Sequence, residues 1–186
     1  MNRKIIIAIT GASGSVYAKL LINRVKDLIS GNDKVVLIFS NNAKAVWEYE
    51  LGKTDFDSFP FEIIDNKDFF SGPASGSAGY DTMIICPASM GTVGRIANGI
   101  SNDLITRAAD VILKEKRNLI LVPRETPFNL IHLRNLTTLA EAGATIIPAS
   151  PSFYSKPESI DDAVNTVVDK VLTLSGFNND GFVWGE

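Results

Sequence analysis

Five short segments of small, hydroxylic or charged residues carry the groups in this chain that could bind a small molecule. They are residues 11–14 (GASG), Ser40, residues 89–92 (SMGT), residues 124–125 (RE) and residues 150–154 (SPSFY). Glycine lets a ligand approach the backbone closely, and free N–H groups at the start of a helix attract phosphate. One such turn alone is also what an ordinary strand-to-helix connection needs. Five of them, with hydroxyls and the Arg124 guanidinium, favour a phosphate-bearing ligand.

The elements that must position these segments alternate between strands and helices. The run 5–9 (IIIAI) is β-branched and apolar throughout, which is typical of a strand buried on both faces of a parallel sheet. Hydrophobic periodicity, with the residues that start and stop helices, predicts further strands and helices. The predicted strands are 5–9, 35–39, 61–64 (a short edge strand), 83–86, 118–122 and 144–147, and the predicted helices are 16–29, 43–51, 93–97, 104–115, 127–142 and 160–174.

Helix ends and connections give further expectations. Ser101 or Asn102 is expected to cap the helix over 104–115, Pro127 to open the next helix, and Ser159 to cap the last one. The glycine-rich stretch 72–79 is expected to lack regular structure, and 52–79 as a whole is hard to interpret. Trp47 is expected to pack inward.

This alternation predicts an α/β fold, a three-layer doubly wound parallel sheet of flavodoxin or Rossmann type in a single domain. We expect that domain to span residues 1–175, with a tail over 176–186. In such a sheet ligands bind beyond the carboxyl ends of the strands, where all five segments lie, so we expect them to form one cleft. Strand order stays open at this point.

The end of the second strand narrows the ligand class. A dinucleotide-binding protein usually has an acidic residue there to hold the ribose hydroxyls. This chain has Ser40, Asn41 and Asn42 instead. The sequence therefore favours a mononucleotide.

Composition excludes some functions. The chain has 186 residues, 45% of them hydrophobic, and a formal net charge of -3, so nucleic acid and membrane partners are not expected. Cys86 is its single cysteine, which precludes an internal disulfide and fits a reducing compartment. The first residues lack a signal-peptide pattern. We expect a cytoplasmic protein.

A set of motifs extends nearly from end to end of the chain. They are TGASG at 10–14, PASGS at 73–77, CPASMGT at 86–92, LITRAAD at 104–110, LKE at 113–115, PRETP at 123–127 and FY at 153–154. With these motifs the chain resembles the flavin prenyltransferases of the UbiX type, within the FMN-binding flavoproteins and decarboxylases. The last four motifs together are highly specific for that family.

The resemblance implies an enzyme that joins the dimethylallyl group of dimethylallyl phosphate to reduced FMN. The prenylated FMN would serve UbiD-type decarboxylases, and the chain would form a homo-oligomer, a dodecamer. By resemblance, the FMN-binding residues would be Gly11, Ala12, Ser13, Ser40, Ser89, Met90, Gly91, Thr92 and Arg124. The allylic phosphate would be held by Lys114, Glu125, Tyr154 and Lys170, with Arg107 also at a substrate-binding position. Glu50, Glu125, Lys114 and Ser13 would be the catalytic residues.

The chemistry of the implied reaction suits these residue types. Breaking the carbon–oxygen bond of an allylic phosphate builds negative charge on the leaving group, which cationic side chains stabilise. Aromatic faces stabilise the allylic cation, and the available rings are those of Phe69, Phe70, Tyr154 and Trp184. Glu50 or Glu125 could accept the proton that the flavin releases. No metal is required, and the sequence has no clustered ligand set.

Two positions depart from the family, which usually has Arg where Lys170 stands and often Cys where Ala88 stands. Lysine replaces a bidentate grip on phosphate with a point charge.

Simpler interpretations exist for two cations. Arg107 and Asp110 could form a helix-surface ion pair, and Lys114 could be a solvated helix end. We expect one pocket that holds a flavin, with Lys114 and Tyr154 beside it.

Two other functions compete with prenyl transfer. An FMN-dependent cysteine decarboxylase would share the Pro-Ala-Ser motif and the run IANG at 96–99, but it would need a histidine in the first half of the chain and a Pro-x-Met-Asn motif, and this chain has neither. A passive FMN-binding protein would need neither Lys114 nor Glu125.

Overall fold

The computed structural model describes residues 2–54, 56–178, 181–182 and 185, in which six parallel strands form one sheet with helices on both faces. Trp184 and four other residues of the predicted tail lie outside these residues. The sheet order is β3-β2-β1-β4-β5-β6. The strands are β1 Lys4–Ile9, β2 Lys34–Phe39, β3 Glu62–Ile64, β4 Thr82–Ala88, β5 Asn118–Pro123 and β6 Thr145–Ile146. The helices are α1 Ser15–Leu28, α2 Asn41–Leu51, α3 Met90–Ala97, α4 Leu104–Lys114, α5 Leu130–Glu141 and α6 Ile160–Leu174.

The predicted fold class is confirmed, and the strand order that the sequence left open is the 3-2-1-4-5-6 order of the classic Rossmann fold. Every neighbouring pair of strands is parallel. The order reverses between β1 and β4. The cleft between the carboxyl ends of these two strands is where such a fold binds its ligand.

Alternate residues of each central strand build two separate cores, because side chains along a strand point to opposite faces. Ile5, Ile7 and Ile9 of β1 pack with α1, α2 and α6, whereas Ile6 and Ala8 pack with α3, α4 and α5. All five side chains are at most 1% exposed. Burial on both faces explains why residues 5–9 of β1 include no polar residue. Trp47 lies in the first core at 2% exposure, as predicted.

Three local expectations need correction. Asp103, and not Ser101 or Asn102, caps α4, because its side chain accepts the N–H of Thr106. Helix α5 begins at Leu130 and not at Pro127, with Asn129 as the cap that accepts the N–H of His132. The stretch 72–79 is not wholly irregular, since it contains two 3-10 turns, Gly72–Ala74 and Gly76–Ala78. The cap at Ser159 is confirmed.

Candidate active site

Thr10 ties together the two turns that flank the point where the strand order reverses. Its hydroxyl donates to the carbonyl of Pro87 at 2.7 Å and accepts the N–H of Ser89 at 2.7 Å. Its own N–H also donates to the carbonyl of Pro87, at 3.3 Å. Thr10 is 1% exposed, so these hydrogen bonds are shielded from water. The turns after β1 and β4 are therefore held in a fixed relation to each other.

A cavity of about 670 Å³ opens beside these turns. Five of the predicted site residues line it together: Gly11, Ser40, Ser89, Gly91 and Thr92. A volume of this size is ordinary for a site that binds a small organic molecule. Three of the five predicted segments, those after β1, β2 and β4, therefore share this cavity, whereas residues 124–125 and 150–154 do not line it.

The remaining walls of this cavity come from residues that were not predicted as site residues. They are Asn41, Asn42, Asn66, Lys67, Arg95, Asn102 and Asp103. Asn66 is 7% exposed and accepts two hydrogen bonds from the start of α4. Its carbonyl accepts the N–H of Leu104 at 2.7 Å, and its side-chain oxygen accepts the N–H of Ile105 at 3.0 Å. The loop after β3 is thereby joined to α4.

Arg95 links the starts of α3 and α4 across the cavity wall. Its Nη1 donates to Oδ2 of Asp103 at 2.6 Å and to Oδ1 of Asn102 at 2.8 Å. Burial raises the pKa of Asp103, but hydrogen bonds from Thr106 and Arg95 outweigh it, and the pKa stays below its usual value. The Asp103 carboxylate is therefore charged opposite the guanidinium at neutral pH.

Two glycines of the first turn are needed for close approach. A Cβ at Gly11 would lie 2.7 Å from Cβ of Asn42, nearer than real side chains come. Gly14 has a φ of 110°, and a Cβ there would lie 3.0 Å from the Tyr17 ring and 3.8 Å from Cγ of Arg124. The half-buried Arg124 side chain therefore lies beside the start of α1, although it does not line the cavity.

Glu50, near the end of α2, places its carboxylate on the start of α1. Its Oε2 accepts the N–H of Ser15 at 2.7 Å, and both oxygens lie 3.0 Å from the nitrogen of Gly14. Burial raises the pKa of Glu50, but hydrogen bonds from Ser13, Ser15 and Gly14 outweigh it and hold the pKa below its usual value. The structure thus brings together Ser13 and Glu50, two of the predicted catalytic residues, with Glu50 ionised.

Four more predicted residues lie near the carboxyl ends of the strands or behind them. Ala12 is 9% exposed and Met90 is 6% exposed, and the Met90 side chain packs in the second core. Met90 can therefore offer a ligand only its backbone. Glu125 is exposed and accepts the N–H of Thr126 at 2.9 Å. Tyr154, 68% exposed, follows β6 and does not line the cavity.

Arg107, Lys114 and Lys170 do not reach this cavity. Helix α4 starts at the cavity wall, and its eleven residues carry Lys114 about 15 Å along the axis to the opposite edge of the sheet. Lys170 likewise lies about 15 Å along the axis of α6 from the start of that helix. The expectation that Lys114 lies beside the pocket is wrong within one chain, because a helix that returns to the next strand must leave the carboxyl edge.

Arg107 keeps the simpler role that the sequence also allowed. Its Nη1 lies 3.1 Å from Oδ2 of Asp110, and its Nε donates to the carbonyl of Ala74 at 3.1 Å. Arg107, Asp110 and Lys114 form one outward-facing row on α4, at intervals of three and four residues. The predicted site residues therefore fall into two groups, one in and around the turns at the carboxyl edge of the sheet and one on this row and on α6.

Over the described residues, no three or more His, Cys, Asp and Glu side chains are grouped so that they could hold a metal ion. In the same part of the chain, no helix combines the length and the hydropathy that crossing a membrane requires.

Comparison with known proteins gives consistent results. The family model described as Flavoprotein matches residues 1–172. The flavin prenyltransferase UbiX of Methanocaldococcus jannaschii is 45% identical over 185 residues, which cover 98% of each chain. The crystal structure of AnUbiX (PadA1) with FMN and dimethylallyl pyrophosphate superimposes with a TM-score of 0.94 at 36% identity, over 100% of this chain and 99% of the other. A dodecameric FMN-dependent UbiX-like decarboxylase from Escherichia coli O157:H7 gives 0.93 at 35% identity, over 98% and 100%.

Proposed function

Because this chain belongs to the flavin prenyltransferase family, we propose that it joins the dimethylallyl group of dimethylallyl phosphate to reduced FMN. The reduced flavin is the acceptor of the five-carbon group, and prenylated FMN is the product. The observation that carries the proposal is the cavity at the point of strand reversal, where the hydroxyls, glycines and backbone donors predicted for FMN meet.

The residues at the cavity suit FMN. Hydroxyls of Ser40 and Ser89 can bind a phosphate and a ribityl chain, Thr92 borders the same cavity, and Gly11 lets the ligand approach the backbone. Ala12, Ser13, Met90, Gly91 and Arg124 complete the proposed FMN site. Within it, Met90 acts through its backbone, because its side chain is in the core.

Ser13, Glu50 and Arg124 are proposed to act where the new bond forms. The ionised Glu50 accepts a hydrogen bond from Ser13, so it can take up a proton through that hydroxyl. The guanidinium of Arg124, beside the same turn, offsets the negative charge that grows on the leaving phosphate. Glu125 and Tyr154 follow β5 and β6 at the same edge of the sheet and are proposed to contact the allylic phosphate.

Lys114, Arg107 and Lys170 are proposed to reach the substrate from other copies of the chain. In one chain Lys114 is about 15 Å from the cavity wall, too far for a side chain to bridge. A dodecameric relative and large apolar side chains left exposed, such as Tyr49 at 92% and Phe70 at 102%, support a homo-oligomer. We propose a dodecamer in which the outward row on α4 of one copy completes the cavity of another.

The direct test is incubation of the purified protein with reduced FMN and dimethylallyl phosphate, followed by mass spectrometry of the flavin. Addition of one C5 unit is expected, and a flavin that stays unmodified would refute prenyl transfer and leave only flavin binding. Dimethylallyl diphosphate, run in parallel, determines which leaving group the enzyme prefers. The Lys114→Ala variant should keep the flavin spectrum and lose the product, whereas Lys19→Ala, an exposed lysine on α1, should not.

Mixed oligomers test the sharing of residues between copies. Ser13→Ala and Lys114→Ala are each expected to be inactive alone. Coexpressed, the two chains should regain part of the activity, because some sites then receive intact Ser13 from one copy and intact Lys114 from another. Absence of any recovery, with mixed oligomers verified by mass, would contradict the shared site.

Two further points remain proposals. A UbiD-type decarboxylase is proposed as the recipient of the product, and the cytoplasm as the location, the latter from the single cysteine. The cysteine decarboxylase alternative has little support. It requires a histidine in the first half, and the only histidine of the chain is His132.

A further inference from the structure

We propose that Arg95 is a positioning residue that turns the hydroxyl of Ser89 into a hydrogen-bond donor aimed at the phosphate of the bound flavin. This inference rests on the proposed function. It assigns a role to a residue that neither the sequence motifs nor the chemistry of transfer singled out. Its basis is a chain of hydrogen bonds in the cavity wall.

The chain of hydrogen bonds has one direction. Nη2 of Arg95 lies 3.3 Å from Oγ1 of Thr92, which lies 3.0 Å from Oγ of Ser89. A guanidinium has only donors, so the Thr92 oxygen must accept from Arg95. Thr92 is 3% exposed, and within the described part of the chain Ser89 Oγ is the acceptor beside its hydroxyl. The Thr92 proton is therefore donated to Ser89.

Ser89 is thereby left with one free group. Its Oγ accepts the Thr92 hydroxyl and also, at 3.4 Å, the Thr92 backbone N–H. A hydroxyl oxygen has two lone pairs, and both are now used. The Ser89 proton remains, and Ser89 lies on the cavity wall. The Ser89 hydroxyl can only donate to a ligand, which requires an acceptor such as a phosphate oxygen.

Charge decides which end of the cavity receives the phosphate. The N–H groups of Gly14 and Ser15 at the start of α1 are already accepted by the Glu50 carboxylate, and Arg124 beside this turn is proposed for the allylic phosphate. At the start of α3, the structure shows no acceptor among the described residues for the N–H groups of Met90 and Gly91. A helix start with free N–H groups, next to a hydroxyl that can only donate, attracts an anion. The phosphate is therefore assigned to α3, beside Ser89.

The pairing of Arg95 with Asp103 keeps it in this role. Asp103 holds Nη1 at 2.6 Å, which leaves Nη2 for Thr92. The carboxylate also offsets the guanidinium charge, so Arg95 acts on the phosphate mainly through the two hydroxyls and only weakly by direct attraction.

The test measures the dissociation constants of oxidised FMN and of riboflavin, which lacks the phosphate, by quenching of flavin fluorescence. Arg95→Met removes every donor and should raise the constant for FMN about tenfold, since a hydrogen bond to a charged group is lost. The constant for riboflavin should not change. Lys26→Met on α1 removes the same charge far from the cavity and should change neither constant.

A double-mutant cycle tests the relay itself. Thr92→Val keeps the shape of the side chain and breaks the relay, so it should weaken FMN binding as Arg95→Met does. The double variant should be no weaker than either single variant, because both changes break one chain of hydrogen bonds. Should Arg95→Met fail to fold, Arg95→Lys, which keeps a donor and the charge, should bind FMN better than Thr92→Val does.

Three results would overturn the proposal: an unchanged FMN constant in Arg95→Met, an equal loss for riboflavin, or losses that multiply in the double variant. Prenyl transfer by the unaltered protein is measured beside these titrations. Absence of product with the expected binding pattern would refute the proposed function alone. If the unaltered protein forms the product and the Arg95→Met variant binds FMN as tightly as the unaltered protein does, the role of Arg95 alone is refuted.

Discussion

Replacement of Thr10 by valine should weaken the joint between the two turns that frame the cavity. Valine keeps the branched shape of threonine, so the packing at this 1%-exposed position is retained. What is lost is the hydroxyl, which donates to Pro87 and accepts from Ser89, both at 2.7 Å. The change thus isolates the hydrogen bonds from the packing.

The cost can be worked out bond by bond. The carbonyl of Pro87 keeps a second donor, the backbone N–H of residue 10, at 3.3 Å, so its loss is that of one ordinary hydrogen bond, about 1 kcal/mol. The N–H of Ser89 loses the acceptor that the structure gives it and would be left unpaired beside the core, which costs about 1–3 kcal/mol. We expect Thr10→Val to destabilise the fold by about 2–4 kcal/mol.

Denaturant unfolding at one fixed protein concentration measures this difference, since the stability of an oligomer depends on concentration. Thr82→Val is the matched control. Thr82 is 6% exposed at the start of β4, and no hydrogen bond of its hydroxyl is seen to any residue that the structure describes. Thr10→Val should also weaken FMN binding, because Ser89 loses its anchor. If Thr10→Val and Thr82→Val proved equally stable, the joint assigned to Thr10 would be wrong.

Three further predictions concern the start of α1 and the cavity wall. Because the pKa of Glu50 in the fold lies below its ordinary value of 4.5, its stabilising effect is full above that value and is lost as the pH falls through the folded pKa. Unfolding curves of Glu50→Gln and the unaltered protein should therefore differ at pH 7 and converge in acid, and a constant difference would contradict the assignment. Gly11→Ala brings a Cβ to 2.7 Å from Cβ of Asn42, so it should cost about 1–3 kcal/mol in stability and weaken FMN binding in fluorescence titrations, and unchanged binding would show that the turn can shift freely. Asp103→Ala removes the cap of α4, with an expected cost of about 0.5–2 kcal/mol by thermal unfolding, and the loss should exceed that of Asn102→Ala, which removes no cap.

The sequence predicted the sheet and the cavity turns for the same physical reason. Residues 5–9 are buried on both faces and therefore form a straight central strand. The turn comes directly after them, where Gly11 and Gly14 allow it. Residues directly after buried strands share one edge by the geometry of a parallel sheet. Ser40 and Ser89 could therefore be placed together before any coordinates, although the strand order could not.

Residues that do not directly follow a strand escaped this reasoning. Arg95 lies one turn beyond Thr92 on the same helical face, a spacing of three that the sequence does contain. Asp103 with Thr106 has the spacing of a capping box, but the neighbouring Ser101 and Asn102 also have side chains that commonly cap helices. The site role of Lys114 was implied by the family motif alone. No pattern in the sequence indicates that α4 places this residue at the edge of the sheet opposite the cavity.

Several residues of the cavity wall affect both the stability of the fold and the binding of the flavin, so one measurement alone does not separate the two effects. Thr10 joins two turns and anchors Ser89, Asn66 closes α4 and lines the cavity, and Asp103 caps α4 and holds Arg95. A variant of any of these residues lowers stability and flavin affinity together, so a loss of activity in it does not by itself identify a ligand contact. The ratio of the FMN and riboflavin dissociation constants separates the two effects. Loosening of the whole wall weakens both ligands, whereas loss of a phosphate donor weakens FMN alone.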